Sequence, residues 1–130
     1  ESPAGIQGKA TQFVMILDAL QLRLLEKIRS DIAGYSVVRS TSPLDNRAIW
    51  LEIFAGGIHK GNSCQTLLKK LNINCKEVAG LGNDYNDIDF LDICAEAYLV
   101  ANAPVNLQRH YKLVRSDKEE GFTEFISKVL

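Results

Sequence analysis

The chain has no uninterrupted apolar run of about 18 residues, so no segment of it reads as a membrane span. It shows no secretory leader pattern, no internal repeat and no low-complexity stretch. An excess of one charge is also missing. The formal net charge is -1 over 130 residues, which gives neither nucleic acid nor an anionic membrane an electrostatic hold. The small basic group Arg109, His110 and Lys112 reads as a solvated loop and strand edge. No pair among Cys64, Cys75 and Cys94 has C-x-x-C spacing, and three is an odd number. Buried or partly buried free thiols in a reducing cytoplasm are therefore expected, without a metal or redox role.

With 46% hydrophobic residues the chain has enough apolar material for a normal core. The apolar run Gln12 to Leu17 predicts a strand, and Leu20, Leu24, Leu25, Ile28 and Ile32 then recur at helical spacing until Gly34 stops them. Tyr35 to Thr41 and Ala48 to Phe54 read as strands, with Ser42-Pro43-Leu44-Asp45-Asn46 turning between them. After Gly56-Gly57 helix and strand alternate. Helices are expected at Asn62–Leu71, Asn86–Ala95, Pro104–Arg109 and Lys118–Leu130, and strands at Glu77–Leu81, Tyr98–Ala101 and Tyr111–Val114. In the last helix Phe122, Phe125, Ile126 and Val129 share a face. The overall class is α/β: a β-α-β-β block, then a parallel sheet with right-handed crossovers. Gly56-Gly57 is the expected hinge, dividing the chain into 1–56 and 57–130.

Gly82-Asn83-Asp84-Tyr85-Asn86-Asp87 carries the strongest chemical signal. It follows the apolar stretch Val78-Ala79-Gly80-Leu81 and opens a helix. Open α/β sheets place their sites outside the carboxyl ends of their strands, and a helix start there favours an anion. Alone, such a turn is ordinary N-cap chemistry. Its neighbours raise its meaning. Upstream, Leu51-Glu52-Ile53-Phe54 runs through Gly56-Gly57 to Lys60-Gly61; downstream, Tyr98-Leu99-Val100-Ala101 runs into Asn102-Ala103.

This ordered set resembles the carboxyl-terminal half of the haloacid dehalogenase-like (HAD) phosphatases, in the Cof-type branch with a large α/β cap. The resemblance covers nearly all of the chain from about Gly8 onward. It implies a Rossmann-like core in 57–130, with 1–56 as the β-α-β-β remainder of the cap. It also implies Mg²⁺ as cofactor and a small phosphorylated metabolite, such as a sugar phosphate, as substrate. By that resemblance Lys60 stabilises the transferring phosphoryl group, as a fixed ammonium beside phosphate oxygens can. Asn83, Asp84 and Asp87 are the metal candidates, and Asn86 and Asn102 the phosphate-side candidates. The pattern's first acid falls on Asn83, an amide that ligates Mg²⁺ without the charge of a carboxylate. Glu52 and His59 are candidates for the cleft beneath the cap.

The family's nucleophile lies in a D-x-D motif after its first core strand, and here the only D-x-D is Asp87-Ile88-Asp89 at a helix start. The chain begins at Glu1, so it is expected to be an excised portion whose other half holds the nucleophile and covers the exposed edge of strand Glu77–Leu81. A homo-oligomeric partner would serve the same purpose. Phosphomannomutase-like or sucrose-phosphatase-like chemistry is a rival enzyme reading. A non-catalytic binding or regulatory module on the same scaffold is the non-enzyme alternative.

Overall fold

Alternating Val, Ile and aromatic residues build the amino-terminal sheet, where one face packs on a helix. In the computed structural model, residues 9–42 and 48–130 are described. The strands β1 (Gln12–Asp18), β2 (Ser36–Thr41) and β3 (Ala48–Phe54) pair antiparallel in the order β1-β3-β2. Helix α1 (Leu22–Asp31) covers one face, and Leu25 packs with Leu17, Ile49 and the fully buried Leu51. Leu51 lies opposite Met15 on one side and Arg39 on the other. Side-chain alternation then turns Trp50 and Glu52 to the opposite face. Gly34, at φ +102°, ends the α1 segment in a conformation that favours glycine. The expected turn Ser42–Asn46 falls largely on 43–47, outside the described residues.

The second half alternates as expected: α2 (Lys60–Leu71), β4 (Ala79–Gly82), α3 (Ile88–Leu91), β5 (Glu96–Val100), α4 (Val105–Gln108), β6 (Lys112–Val114) and α5 (Gly121–Val129). The strands are parallel in the order β4-β5-β6. Tyr98, Leu99 and Val100 are buried in succession, the pattern of a strand covered on both faces. Leu91, Leu107, Val114 and Phe125 complete that core, and the Tyr98 and Phe125 rings meet edge-on at 5.4 Å. β4 pairs with β5 and, among the described residues, with no other strand. Among the described residues no helix is long and apolar enough to cross a membrane.

Several boundaries differ from the sequence expectation for local reasons. The helix expected over Asn86–Ala95 is a 3₁₀ turn at Tyr85–Asp87 followed by the single turn of α3. The amides of Ala95 and Glu96 both donate to the Val78 carbonyl, which draws the chain out of the helix and onto β4. Likewise α5 starts at Gly121 because Glu120, at φ 62°, breaks the helical path. Ile126 and Val129 pack on the core with Phe125, whereas Phe122 is 65% exposed. The three cysteines are free thiols, but Cys75 is exposed. Burial, reinforced by the neighbouring thiols Cys64 and Cys75, pushes the Cys94 thiol up to about 11. Cys94 is thus protonated at neutral pH and a poor nucleophile.

Candidate functional site

The start of α2, the turn after β4 and the end of β2 meet at the carboxyl end of β4. Lys60 is the first residue of α2, with its side chain 52% exposed, and its ammonium is ion-paired with Asp87 Oδ1. Asp87 is buried, and its Oδ2 accepts from the Asn83 amide at 2.8 Å and the Asp84 amide at 3.1 Å. An unpaired carboxylate at that depth would be expensive; one ammonium and two amides offset the cost of burial. The amino end of a 12-residue helix adds its positive dipole end beside that ammonium.

Asp84 is also buried, and both of its oxygens are engaged. Oδ1 accepts from the Thr41 hydroxyl at 2.9 Å and the Tyr85 amide at 2.8 Å, and Oδ2 from the Thr41 amide. Asn83, by contrast, is exposed at the tip of the loop. Asn86 is half-buried, and its Oδ1 is buried without a hydrogen-bond partner among the described residues. It borders a cleft of about 230 Å³ that Lys60, His59 and Ser63 share with Val38, Glu52, Phe54 and Ile58.

Lys60, Asp87, Asn83, Asp84 and Asn86 are thus brought together. Asn102 follows β5 on the same side of the sheet, but its amide is turned to Asp117: Nδ2 donates to Oδ1 at 2.9 Å, and Oδ1 accepts from the Asp117 amide at 3.2 Å. Glu52 lines the cleft and accepts from the Ser40 hydroxyl at 2.9 Å. His59 Nδ1 lies 3.0 Å from the Asp89 carboxylate without the alignment of a hydrogen bond. Sequence reasoning missed Thr41 and Arg39, which reach the loop from β2. Their only sequence signal is polarity inside a valine-rich strand.

The D-x-D pair has no nucleophile geometry, since Asp87 is saturated and Asp89 is exposed beside His59. Among the described residues, no three His, Cys, Asp or Glu side chains converge on a point that would hold a metal. The side-chain donors around the loop are oxygens, the kind a hard divalent cation takes, but they are too few to form a centre alone.

The approach of α2 to α3 is close enough to require Gly61. A Cβ there would lie 2.5 Å from the Asp89 carbonyl oxygen and 2.9 Å from the Asp89 Cβ. In an unhindered helix glycine-to-alanine stabilises by up to about 1 kcal/mol. Gly61→Ala is expected to lose roughly 1–3 kcal/mol instead, as overpacking does. Urea unfolding reads the sign, and a stabilised variant would contradict the packing described.

The chain belongs to the haloacid dehalogenase-like hydrolase family, whose model matches residues 6–126. A solved protein from Streptococcus mutans is 23% identical, with 91% of this chain and 44% of that one aligned at a TM-score of 0.76. A structure described as a subclass IIB sugar phosphatase is 14% identical, covering 90% of this chain and 42% of that one at 0.73. A Buchnera aphidicola protein provisionally named a phosphatase is 26% identical over 82 residues, 61% of this chain and 30% of its own length. The parallel and antiparallel sheets together match the core and cap of that fold. The chain spans less than half the length of these relatives.

Proposed function

We propose that this chain is the carboxyl-terminal portion of a Cof-type, Mg²⁺-dependent phosphatase that hydrolyses a small phosphorylated metabolite, a sugar phosphate first among them. The supporting observation is the half-exposed Lys60 ammonium, held on the buried Asp87 at the carboxyl end of a parallel strand. Such a cation binds phosphoryl oxygens and stabilises the charge that develops on them. The sugar-phosphate reading draws on the subclass IIB relative. In this reading 1–56 belongs to the cap and 57–130 to the core, and the protein works in the cytoplasm.

An aspartate outside this chain would attack phosphorus as the ester oxygen leaves with the P–O bond pair, giving an aspartyl-phosphate that water then hydrolyses. Lys60 would hold the phosphoryl oxygens, Asp87 would fix Lys60, and Asn86 and Asn102 would border the phosphate side. Asn83 offers the exposed oxygen for Mg²⁺, backed by the charge of Asp87, with the remaining ligands from outside the chain. When bound, Mg²⁺ would neutralise phosphoryl charge.

Asn83 in the place of an acid favours the alternative of a non-catalytic binding or regulatory module. The test compares the 130-residue chain with the longer protein carrying an amino-terminal half. The chain alone should leave p-nitrophenyl phosphate at background, and the longer protein should turn it over with Mg²⁺ and lose that activity in EDTA. EDTA-sensitive turnover by the chain alone would overturn the assignment. A longer protein that binds phosphate esters without turnover would establish the non-catalytic module.

A further inference from the structure

The loop that carries Asp87 has cap bonds of its own but little regular structure behind them. Residues 85–87 form one 3₁₀ turn and α3 is only four residues long, too short to be stable on helical cooperativity. Contacts from elsewhere must fix it, and the largest come from β2. Thr41 donates twice to the buried Asp84, through its amide and its hydroxyl. Two residues earlier, the Arg39 guanidinium lies over the Tyr85 ring, 3.7 Å from its centroid. On its far side the Tyr85 hydroxyl donates to Asn106 Oδ1 at 2.8 Å. Asp84 and Tyr85 are therefore gripped just ahead of Asp87, whose Oδ2 in turn takes the amides of Asn83 and Asp84.

We propose that Thr41 and Arg39 are positioning residues, and that the edge strand β2 clamps the Asn83–Asp87 loop so that Asp87 presents to Lys60. The clamp makes Asp84 a cap-to-core tether, in place of the metal contact suggested by its motif. Its bearing on catalysis rests on the phosphatase reading; its bearing on the loop does not. The antiparallel sheet then sets the geometry of the phosphate-side cation as well as roofing the cleft.

Amide hydrogen exchange of the 130-residue chain, read by NMR, tests the clamp. Thr41→Val keeps the shape and removes the hydroxyl donor. The Asn83 and Asp84 amides should then exchange roughly ten-fold faster, a local opening, while β5 amides keep their rates. Thr41→Ser should restore slow exchange, and Arg39→Gln should raise it at the same two amides. Should Thr41→Val not fold, the near-isosteric Asp84→Asn, which turns an NH₂ group toward a donor, takes its place. Unchanged rates at Asn83 and Asp84, or a rise shared by β5, would overturn the proposal. In the complete enzyme Thr41→Val should cut kcat about ten-fold with KM within two-fold, and Thr41→Ser should not. If exchange responds but the complete protein does not turn over phosphate esters with Mg²⁺, the clamp stands and the phosphatase reading falls.

Discussion

Lys60→Ala is expected to lower kcat of the complete enzyme by about a hundred-fold or more, the scale of removing one preorganised electrostatic stabiliser. The loss should fall on kcat more than on KM, because the ammonium's attraction grows as charge builds on the phosphoryl oxygens. Its effect on folding should be far smaller. Half of the Lys60 side chain is already solvated, and Asp87 keeps the Asn83 and Asp84 amides when the ammonium is gone. Urea unfolding and steady-state kinetics on the same variant separate the two quantities. Lys60→Arg should recover only part of the rate, since a planar fork does not place charge where a compact ammonium does. Retention of most activity in Lys60→Ala would remove the lysine from the site and with it the register of Lys60-Gly61 on the family's pattern.

Lys60 entered as a candidate through the resemblance of Lys60-Gly61 to the family's pattern. The structure puts it at a helix start, as that pattern implies: α2 begins on Lys60 itself, ahead of the expected Asn62. Buried strand β5 was legible because consecutive apolar residues suit a strand covered on both faces. The helix after Asp87 was misjudged in length because apolar periodicity through Cys94 cannot register the Val78 carbonyl capturing two amides. For Asn102 the motif supplied a position but not an orientation; a carboxylate 15 residues later in the chain, Asp117, holds the amide. The Thr41–Asp84 contact joins residues 43 apart, and neither period nor propensity carries information over that separation. Sequence pattern therefore pointed to Lys60 and the Asn83–Asp87 loop as candidates, while the Thr41 and Arg39 contacts to that loop come from β2, a strand that carried no such signal.

Asn83 and Asp87 make the second large test, because they differ in burial and in charge. Asp87→Asn keeps the shape but turns an NH₂ group toward either the Lys60 ammonium or the two amides, so one set of donors loses its acceptor. A loss of roughly 1–3 kcal/mol in unfolding free energy follows, the cost of leaving buried polar groups unsatisfied. Removing that carboxylate charge should also loosen Mg²⁺ in the complete enzyme. Asn83→Asp works in the opposite direction. Its side chain is exposed, so stability should stay within about 0.5 kcal/mol of the parent. The added carboxylate should tighten Mg²⁺, a hard cation that favours anionic oxygen. Activity titrated with Mg²⁺ at fixed ionic strength gives the apparent affinities, and salt must be held constant because exposed charges are screened. A tighter Asn83→Asp and a looser Asp87→Asn would assign the metal-facing oxygen to Asn83 and leave Asp84 to Thr41. If Asp84→Asn instead weakens Mg²⁺ more than either, the metal contact lies at Asp84, and Thr41 must release that carboxylate when the ion binds.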